Sequence, residues 1–331
     1  MNVSVVIPTY NRAHLIPRAI HSALSECIEG DEIIVVDDGS TDDTEAVVSN
    51  IQGPIRYIKT RNSGAGAARN RGIEESRNPI VTFLDSDDEW LPGKLYIQRE
   101  IFNRYENVGY SFSNFRVRNA HGVVIHNYLK NWHKDDRPWD EILGPGVSSS
   151  DAGIQPKSWA EFTCHTGNMF RTLLFENYIC TSTLAVRMNN RTRLIQFPSD
   201  LASFEDWEYF AKLSRDGDGM YVETETVIQH GHFGERLTNV PEITATKSRI
   251  KTIERIWGKD DVFREGNEQE YLNVLEKERI KLAKLLIKSG RGAEARRELE
   301  KVKKIPFLCW MASRVPGRFF TFLYRQSDDG R

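Results

Sequence analysis

The stretch "NPIVTFLDSDDEW", Asn78–Trp90, joins a continuous apolar run to a segment that packs Asp85, Asp87 and Asp88 into four positions. An apolar run without polar alternation reads as a strand covered on both faces, as in a parallel sheet between helices. Three carboxylates this close repel one another unless solvent or a cation relieves them. The segment is therefore either a solvated turn, where aspartates are common, or a site for a hard cation such as Mg2+ or Mn2+, which prefers oxygen ligands. The end of a buried strand in an α/β sheet is where ligands bind, which favours the cation.

Upstream, the same pattern recurs three times. "VSVVIP" (Val3–Pro8), "EIIVVDD" (Glu32–Asp38) and "IRYIKT" read as strands, separated by helical patterns at His14–Ser25 and in "STDDTEAVVSNI", which opens on capping and acidic residues. "SGAGAARNRGIEES" reads as a Gly-rich turn into a helix. Strands alternating with helices predict a doubly wound α/β architecture with a mostly parallel sheet. The four strand ends, "PTYNR", "DDGST", "RNSGAGAARNRG" and "DSDD", then share one edge, where hydroxyl, amide, guanidinium and carboxylate groups converge on a crevice. Gly64-Ala-Gly66 fails as a dinucleotide fingerprint, because Arg69 stands where its next glycine belongs and the turn follows the third strand.

Beyond Val108 the pattern weakens. "VGYSFSNFRVRN" and "GVVIHNY" predict a hairpin across His121-Gly122, and "SSSDAGIQP" a loop. "NYICTSTLAVRM" predicts another strand, Phe204–Gly217 a helix, and "MYVETETVIQHGH" a strand or irregular segment. Long helices are expected from Thr244 to Ser289 and a short one over Arg291–Lys304. These features place an α/β domain at 1–243, its halves divided at about 107, and a helical extension at 244–331. The net charge of −2 points away from nucleic acid. Four scattered cysteines without a CxxC pair exclude a zinc ribbon and a disulfide framework. With neither a secretory signal nor an apolar run of about 18 residues, the expected location is the cytoplasm, soluble or peripheral at the inner face of the cell membrane.

The combination "VSVVIPTYNR", "IIVVDDGSTDDT", "NSGAGAARNRGI" and "FLDSDDEWLPGKL" resembles the inverting family 2 glycosyltransferases, which have the GT-A fold. The likeness is close from Val3 to about Arg99 and resumes in "NYICTSTLAVR", "FEDWEYFAKL" and, weakly, "HGHFGERLT". It implies metal-dependent transfer of a sugar from a nucleotide-sugar donor, a UDP-sugar above others, to a saccharide or lipid-linked saccharide in polysaccharide assembly, with a nucleotide-binding half at about 1–107 and an acceptor half at about 108–243. By that resemblance Pro8, Thr9, Tyr10 and Arg12 line the base pocket, Asp38 contacts the uracil and Asp37 the ribose. Gly64 and Arg69 serve the diphosphate, and Asp85 and Ser86 the ribose or sugar. Asp87 takes the Mn2+ or Mg2+, with Asp88 able to replace it, and His232 completes the site. Asp206 is the general base, with Glu205 contacting or orienting the acceptor.

Two other readings remain open at this level: a non-catalytic nucleotide-sugar or saccharide-binding protein on a degenerate transferase fold, and a glycoside hydrolase using paired carboxylates. The acids Glu205, Asp206 and Glu208 also suit a helix N-terminus for dipole reasons alone. "FLCWMASRVPGRFFTFLYR", Phe307–Arg325, mixes aromatics with arginines and lacks acids, which fits either a membrane-surface contact or a docked C-terminal helix.

Overall fold

The computed structural model describes residues 1–133, 135–155, 159–231 and 240–314. They form two compact units, one within Met1–Ser199 and Glu205–Gly234, the other within Asp200–Phe204 and Glu235–Arg331.

The first unit opens with β1 (Val3–Thr9), α1 (Ile16–Leu24), β2 (Glu32–Asp37), α2 (Thr44–Ser49), β3 (Ile55–Lys59), α3 (Ala65–Glu75) and β4 (Ile80–Phe83). It continues with β5 (Glu89–Trp90), α4 (Lys94–Arg104), β6 (Val108–Arg118), β7 (Val124–Ile125), the single-turn helices α5 (Leu129–Trp132) and α6 (Trp139–Ile142), β8 (Gly146–Ser148) and β9 (Thr163–Gly167). It closes with α7 (Phe170–Leu173), β10 (Ala185–Arg187), α8 (Glu205–Asp216) and β11 (Asp218–His230).

Every residue of β1 and β2 is buried, which is why their sequences run apolar without alternation. The order β3-β2-β1-β4-β10-β6-β11-β9-β8 puts β2 and β4 on opposite sides of β1. β3, β2, β1 and β4 are parallel, and the reversal of strand order beside β1 opens the crevice that an α/β sheet offers a ligand. β10 enters antiparallel to both β4 and β6, while β6 and β11 pair in parallel. Helix α3 lies directly on β1: a Cβ on Gly72 would meet Val6 Cγ1 at 2.2 Å. The predicted hairpin is present, with Val117 opposite Ile125 and Gly122 at φ 83°.

One predicted strand is much shorter than expected. Of "NYICTSTLAVRM" only Ala185–Arg187 joins the sheet, and Thr181–Thr183 is a 3-10 turn. The reason is competition for carbonyls. The Ser182 carbonyl accepts from Trp90 Nε1 at 3.1 Å, Thr183 from Lys94 Nζ at 3.1 Å and Gln98 Nε2 at 3.0 Å, and Leu184 from the Thr82 hydroxyl at 2.6 Å. Lys94 is fully buried and lies 4.8 Å from the Trp90 ring. The start of its helix is capped by Glu26, whose carboxylate accepts from the N–H groups of Gly93 and Leu95. Two further strands, β8 and β9, lie where the sequence pattern was weak.

The second unit is helical: α9 (Glu242–Ile256), α10 (Asp261–Lys288, interrupted at Asn267), α11 (Gly292–Leu299) and α12 (Phe307–Ala312). Ile253, Trp257, Leu282, Ala283, Leu286, Ala295 and Leu299 fill its interior. Asp260 caps α10 by accepting from the Phe263 N–H at 3.0 Å, and Arg249 pairs with Glu278 at 3.0 Å. Asp200–Phe204 belongs with the helices. Asp200 pairs with Lys251 at 2.6 Å and Arg255 at 2.9 Å, which ties that short segment to α9. No helix among the described residues is long and apolar enough to cross a membrane.

Burial drives the Lys94 ammonium down to about 7, against the weaker opposing pull of Glu26 and Cys180. Above that pH the folded chain has released a proton that the unfolded chain still holds, so stability rises with pH until the unfolded lysine also titrates. Urea titrations should therefore show the wild type gaining stability relative to Lys94→Met between pH about 7 and about 10. A difference independent of pH would mean that Lys94 keeps its charge in the folded state.

Candidate functional site

Each strand end at the crevice is built by side chain to backbone bonds. After β1, Asn11 adopts φ 51° and is held there by its N–H to the Ser40 hydroxyl at 2.8 Å and by its side-chain oxygen, which accepts the Thr41 N–H at 2.8 Å. Pro8 and Thr9 are buried, and the Thr9 hydroxyl has no hydrogen-bond partner among the described residues. Tyr10 is 45% exposed. The Arg12 N–H donates to the Thr44 hydroxyl at 3.3 Å.

Asp37 and Asp38 are both buried, and both hold the chain. Asp37 accepts the Ser40 N–H at 2.7 Å and the Tyr57 hydroxyl. The two oxygens of Asp38 accept the N–H groups of Ser63 at 2.8 Å and Gly64 at 2.7 Å. Asp38 thereby pins the turn into α3, which needs glycine at position 64, where φ is 92°. The carboxylate of Asp37, for which the resemblance implies a ribose contact, is enclosed and shared between a turn and a tyrosine.

Arg69 is 5% exposed. The resemblance directs it at a diphosphate; in the structure its guanidinium is committed to carboxylates. Nη2 donates to Asp85 Oδ1 at 2.8 Å and Nη1 to Glu205 Oε1 at 3.4 Å, and these charges outweigh burial in holding its proton. Phe197 lies beneath it, 5.4 Å from the guanidinium carbon, and stacks on Tyr209 at 3.9 Å. Asn70 fixes Phe197 by exchanging two bonds with its backbone, at 2.8 and 2.9 Å. Gly66 permits the approach, since a Cβ there would come within 3.2 Å of Phe197 and 3.3 Å of Glu205.

The DSDD segment is a turn closed by the Asp88 N–H to the Asp85 carbonyl at 3.0 Å. Asp85 and Asp87 are partly exposed, whereas Ser86 and Asp88 are buried. Asp88 accepts the Ser182 hydroxyl at 2.7 Å and the His230 backbone N–H. Burial, then the charges of Asp87 and Asp85, push its carboxyl well above the usual range. Asp88 is thus the most enclosed of the three aspartates. Arg18 donates to the Asp87 carbonyl. His230 meets Glu89 at 2.8 Å, and His232 lies outside the described residues.

Among those residues no three acidic, histidine or cysteine side chains are arranged to hold a metal. The oxygen donors Asp85 and Asp87 still suit Mg2+ or Mn2+, which commonly take one or two carboxylates together with substrate phosphates.

Glu205 and Asp206 begin α8, after Phe204 turns the chain at φ 65°. The Trp207 N–H donates to Asp206 Oδ1 at 2.7 Å. Burial and then the Glu205 charge raise the Asp206 carboxyl to about 7, against the opposing charge of Arg69. Glu208, by contrast, is buried beside Lys212 at 2.9 Å. Arg69 therefore brings together Asp85 and Glu205 from separate motifs. Ser182, Phe197, Tyr57 and Asn70 were not assigned from sequence. Ser182 and Asn70 lie within segments that carry the resemblance, whereas Phe197 and Tyr57 carried no signal of a place in the site.

Residues 4–172 match the sequence model of glycosyl transferase family 2. An uncharacterized glycosyltransferase of Nostoc, alr2836, is 40% identical over 113 residues, 33% of this chain and 35% of the relative. The GalNAc(5)-diNAcBac-PP-undecaprenol beta-1,3-glucosyltransferase of Campylobacter jejuni is 32% identical over 182 residues, 53% of each chain. These alignments span between a third and about half of the relatives' length. Among solved structures, S. aureus TarS 1-349 in complex with UDP-GlcNAc superposes with a TM-score of 0.56 at 17% identity, over 90% of this chain and 88% of that one. The Pyrobaculum calidifontis mannosyltransferase PcManGT, with GDP-Man and Mn2+, gives 0.52 at 16%, over 97% and 83%. At that identity the likeness concerns the fold, which is of GT-A type.

Removing the buried cation while leaving its carboxylates is costly. Arg69→Met should destabilise the protein by about 3 kcal/mol in urea unfolding at neutral pH. Arg69→Lys should recover only part of this, because one ammonium cannot span both acids. Full stability of Arg69→Met would show that the pairing contributes nothing.

Proposed function

Because the chain belongs to glycosyl transferase family 2, we propose that it moves a sugar from a nucleoside-diphosphate sugar, with a UDP-sugar as the expected donor, to a hydroxyl of a saccharide or lipid-linked saccharide acceptor, inverting the anomeric configuration. The observation that carries this reading is Asp206: a carboxyl raised to about 7 beside the Arg69-linked pair of Asp85 and Glu205. A carboxylate with that affinity for a proton suits a general base working near neutral pH.

In this proposal Asp206 takes the proton of the acceptor hydroxyl as its oxygen bonds to the anomeric carbon, and the bond from that carbon to the diphosphate oxygen breaks on the opposite face. Glu205 orients the acceptor and sets the proton affinity of Asp206. Asp38 serves the nucleotide by holding the turn at Gly64, and the exposed ring of Tyr10 offers a surface for the base. A divalent Mn2+ or Mg2+, when bound, would neutralise charge on the diphosphate; Asp87 with Asp85 would hold it. The UDP-GlcNAc in the TarS structure supports a UDP-sugar donor, and the named activity of the Campylobacter relative supports a lipid-linked saccharide acceptor. The catalytic part is proposed to occupy 1–243, with 244–331 as an accessory extension.

UDP release from a panel of UDP-sugars, with Mn2+ or EDTA, tests the reaction class. Asp206→Asn should retain UDP binding and lose transfer by a factor of at least about 100; undiminished transfer would remove Asp206 from the chemistry. Asp87→Ala should weaken Mn2+-dependent UDP binding, and binding indifferent to both this change and EDTA would overturn the cation site.

A general base acts ionised, so kcat/KM should climb with pH through about 7. Glu205→Gln removes a neighbouring negative charge and should move that limb to lower pH. A limb that stays in place would separate Glu205 from the titration of Asp206.

A further inference from the structure

The helical unit carries a second chemically distinctive surface. Lys277, Lys281, Lys284 and Lys288 follow one another on α10 at spacings of four, three and four residues, which sets them on a single helix face. All four are exposed, and all four line a cavity of about 650 Å3 with Ile280 and Leu285 among its apolar walls. Two carboxylates share this cavity. Glu242 is 3.2 Å from Lys281, and Glu276 accepts the Lys303 backbone N–H at 3.1 Å.

That last bond ties the basic run Lys301, Lys303 and Lys304 to α10. The chain then enters α12, where Phe307 and Leu308 are 67% and 68% exposed and Trp310 and Met311 are also exposed. Phe307 and Trp310 stack with ring centroids 6.3 Å apart, and Arg314 lies over Trp310 at 4.2 Å. Helix α12 packs against α10, so the lysine-bearing helix and the apolar helix are neighbours within this unit.

Four large apolar side chains on one short exposed helix, bordered by lysines, match the two demands of a lipid interface: apolar groups that enter the acyl boundary and cations that meet anionic headgroups. A second copy packed symmetrically on the same face would bring the two lysine rows together and be repelled. We propose that this face of the helical unit docks on an anionic lipid surface, with Lys277, Lys281, Lys284 and Lys288 over the headgroups and Phe307, Leu308, Trp310 and Met311 at the acyl boundary. This docking stands independently of the transfer reaction.

Co-sedimentation of the full chain with phosphatidylcholine vesicles, with and without phosphatidylglycerol, tests it. Binding is expected to the anionic vesicles alone and to weaken as salt rises. The combined Lys277→Glu, Lys281→Glu and Lys284→Glu variant should lower partitioning by at least about tenfold, and the Phe307→Ser, Trp310→Ser variant should also lower it, with circular dichroism reporting that each folds. Equal binding to neutral vesicles, no binding, or insensitivity to salt in the wild type would overturn the proposal without any variant. So would a dimer in sedimentation equilibrium that Trp310→Ser dissociates, since a second copy would then cover the face.

Discussion

A guanidinium taken out of water must be surrounded by charges of the opposite sign, and Arg69 meets that constraint with two acids distant in sequence. Asp85 lies beyond the end of β4, and Glu205 starts α8. Their pairing with Arg69 (2.8 and 3.4 Å) brings the strand-end acids and the helix-start acids to one place. Phe197 and Tyr209 form the stacked platform below the arginine, and Gly66 leaves room for it. The balance of charges has a chemical consequence. With one cation among several carboxylates, Asp206 retains enough repulsion and burial to hold a proton near pH about 7.

The acids at the strand ends divide by how far they are enclosed. Asp37, Asp38 and Asp88 are buried and accept bonds from Ser40, from Ser63 and Gly64, and from Ser182 respectively. Asp37 and Asp38 clamp their turns through backbone N–H groups, and Asp88 is tied to Ser182. Asp85, Asp87 and Asp206 are partly exposed, with Asp85 held by Arg69 and Asp206 by the Trp207 N–H. A crowded acidic motif thus serves both scaffold and site.

Much of the first hundred residues was legible because its signals are local. Val3–Pro8, Glu32–Asp38 and the apolar run before Asp85 read as strands from the absence of polar alternation, and the structure has β1, β2 and β4 there. Thr181–Thr183 was misread as strand, since its carbonyls are taken by Trp90, Lys94 and Gln98, partners some ninety residues away that no periodicity records. β8 and β9 escaped notice because they are short and pair with each other and with β11 without a long apolar run. In the site, the acids and Arg69 stood out by residue type. Ser182, Phe197 and Asn70 did not, as their roles arise from contacts across 94, 128 and 127 positions.

The sequence by itself determined the alternation of buried strands and helices, the gathering of polar motifs at strand ends and the identity of the acids available there, because hydrophobic periodicity and residue chemistry are properties of short segments. Only the tertiary structure decided which carboxylates are enclosed and which stay partly exposed. That choice depends on which backbone N–H, hydroxyl or guanidinium group lies within hydrogen-bond reach and on how much water burial removes, and both are set by segments far apart in the chain. Arg69 shows the difference: its type announced an anion partner, and folding made the partners Asp85 and Glu205.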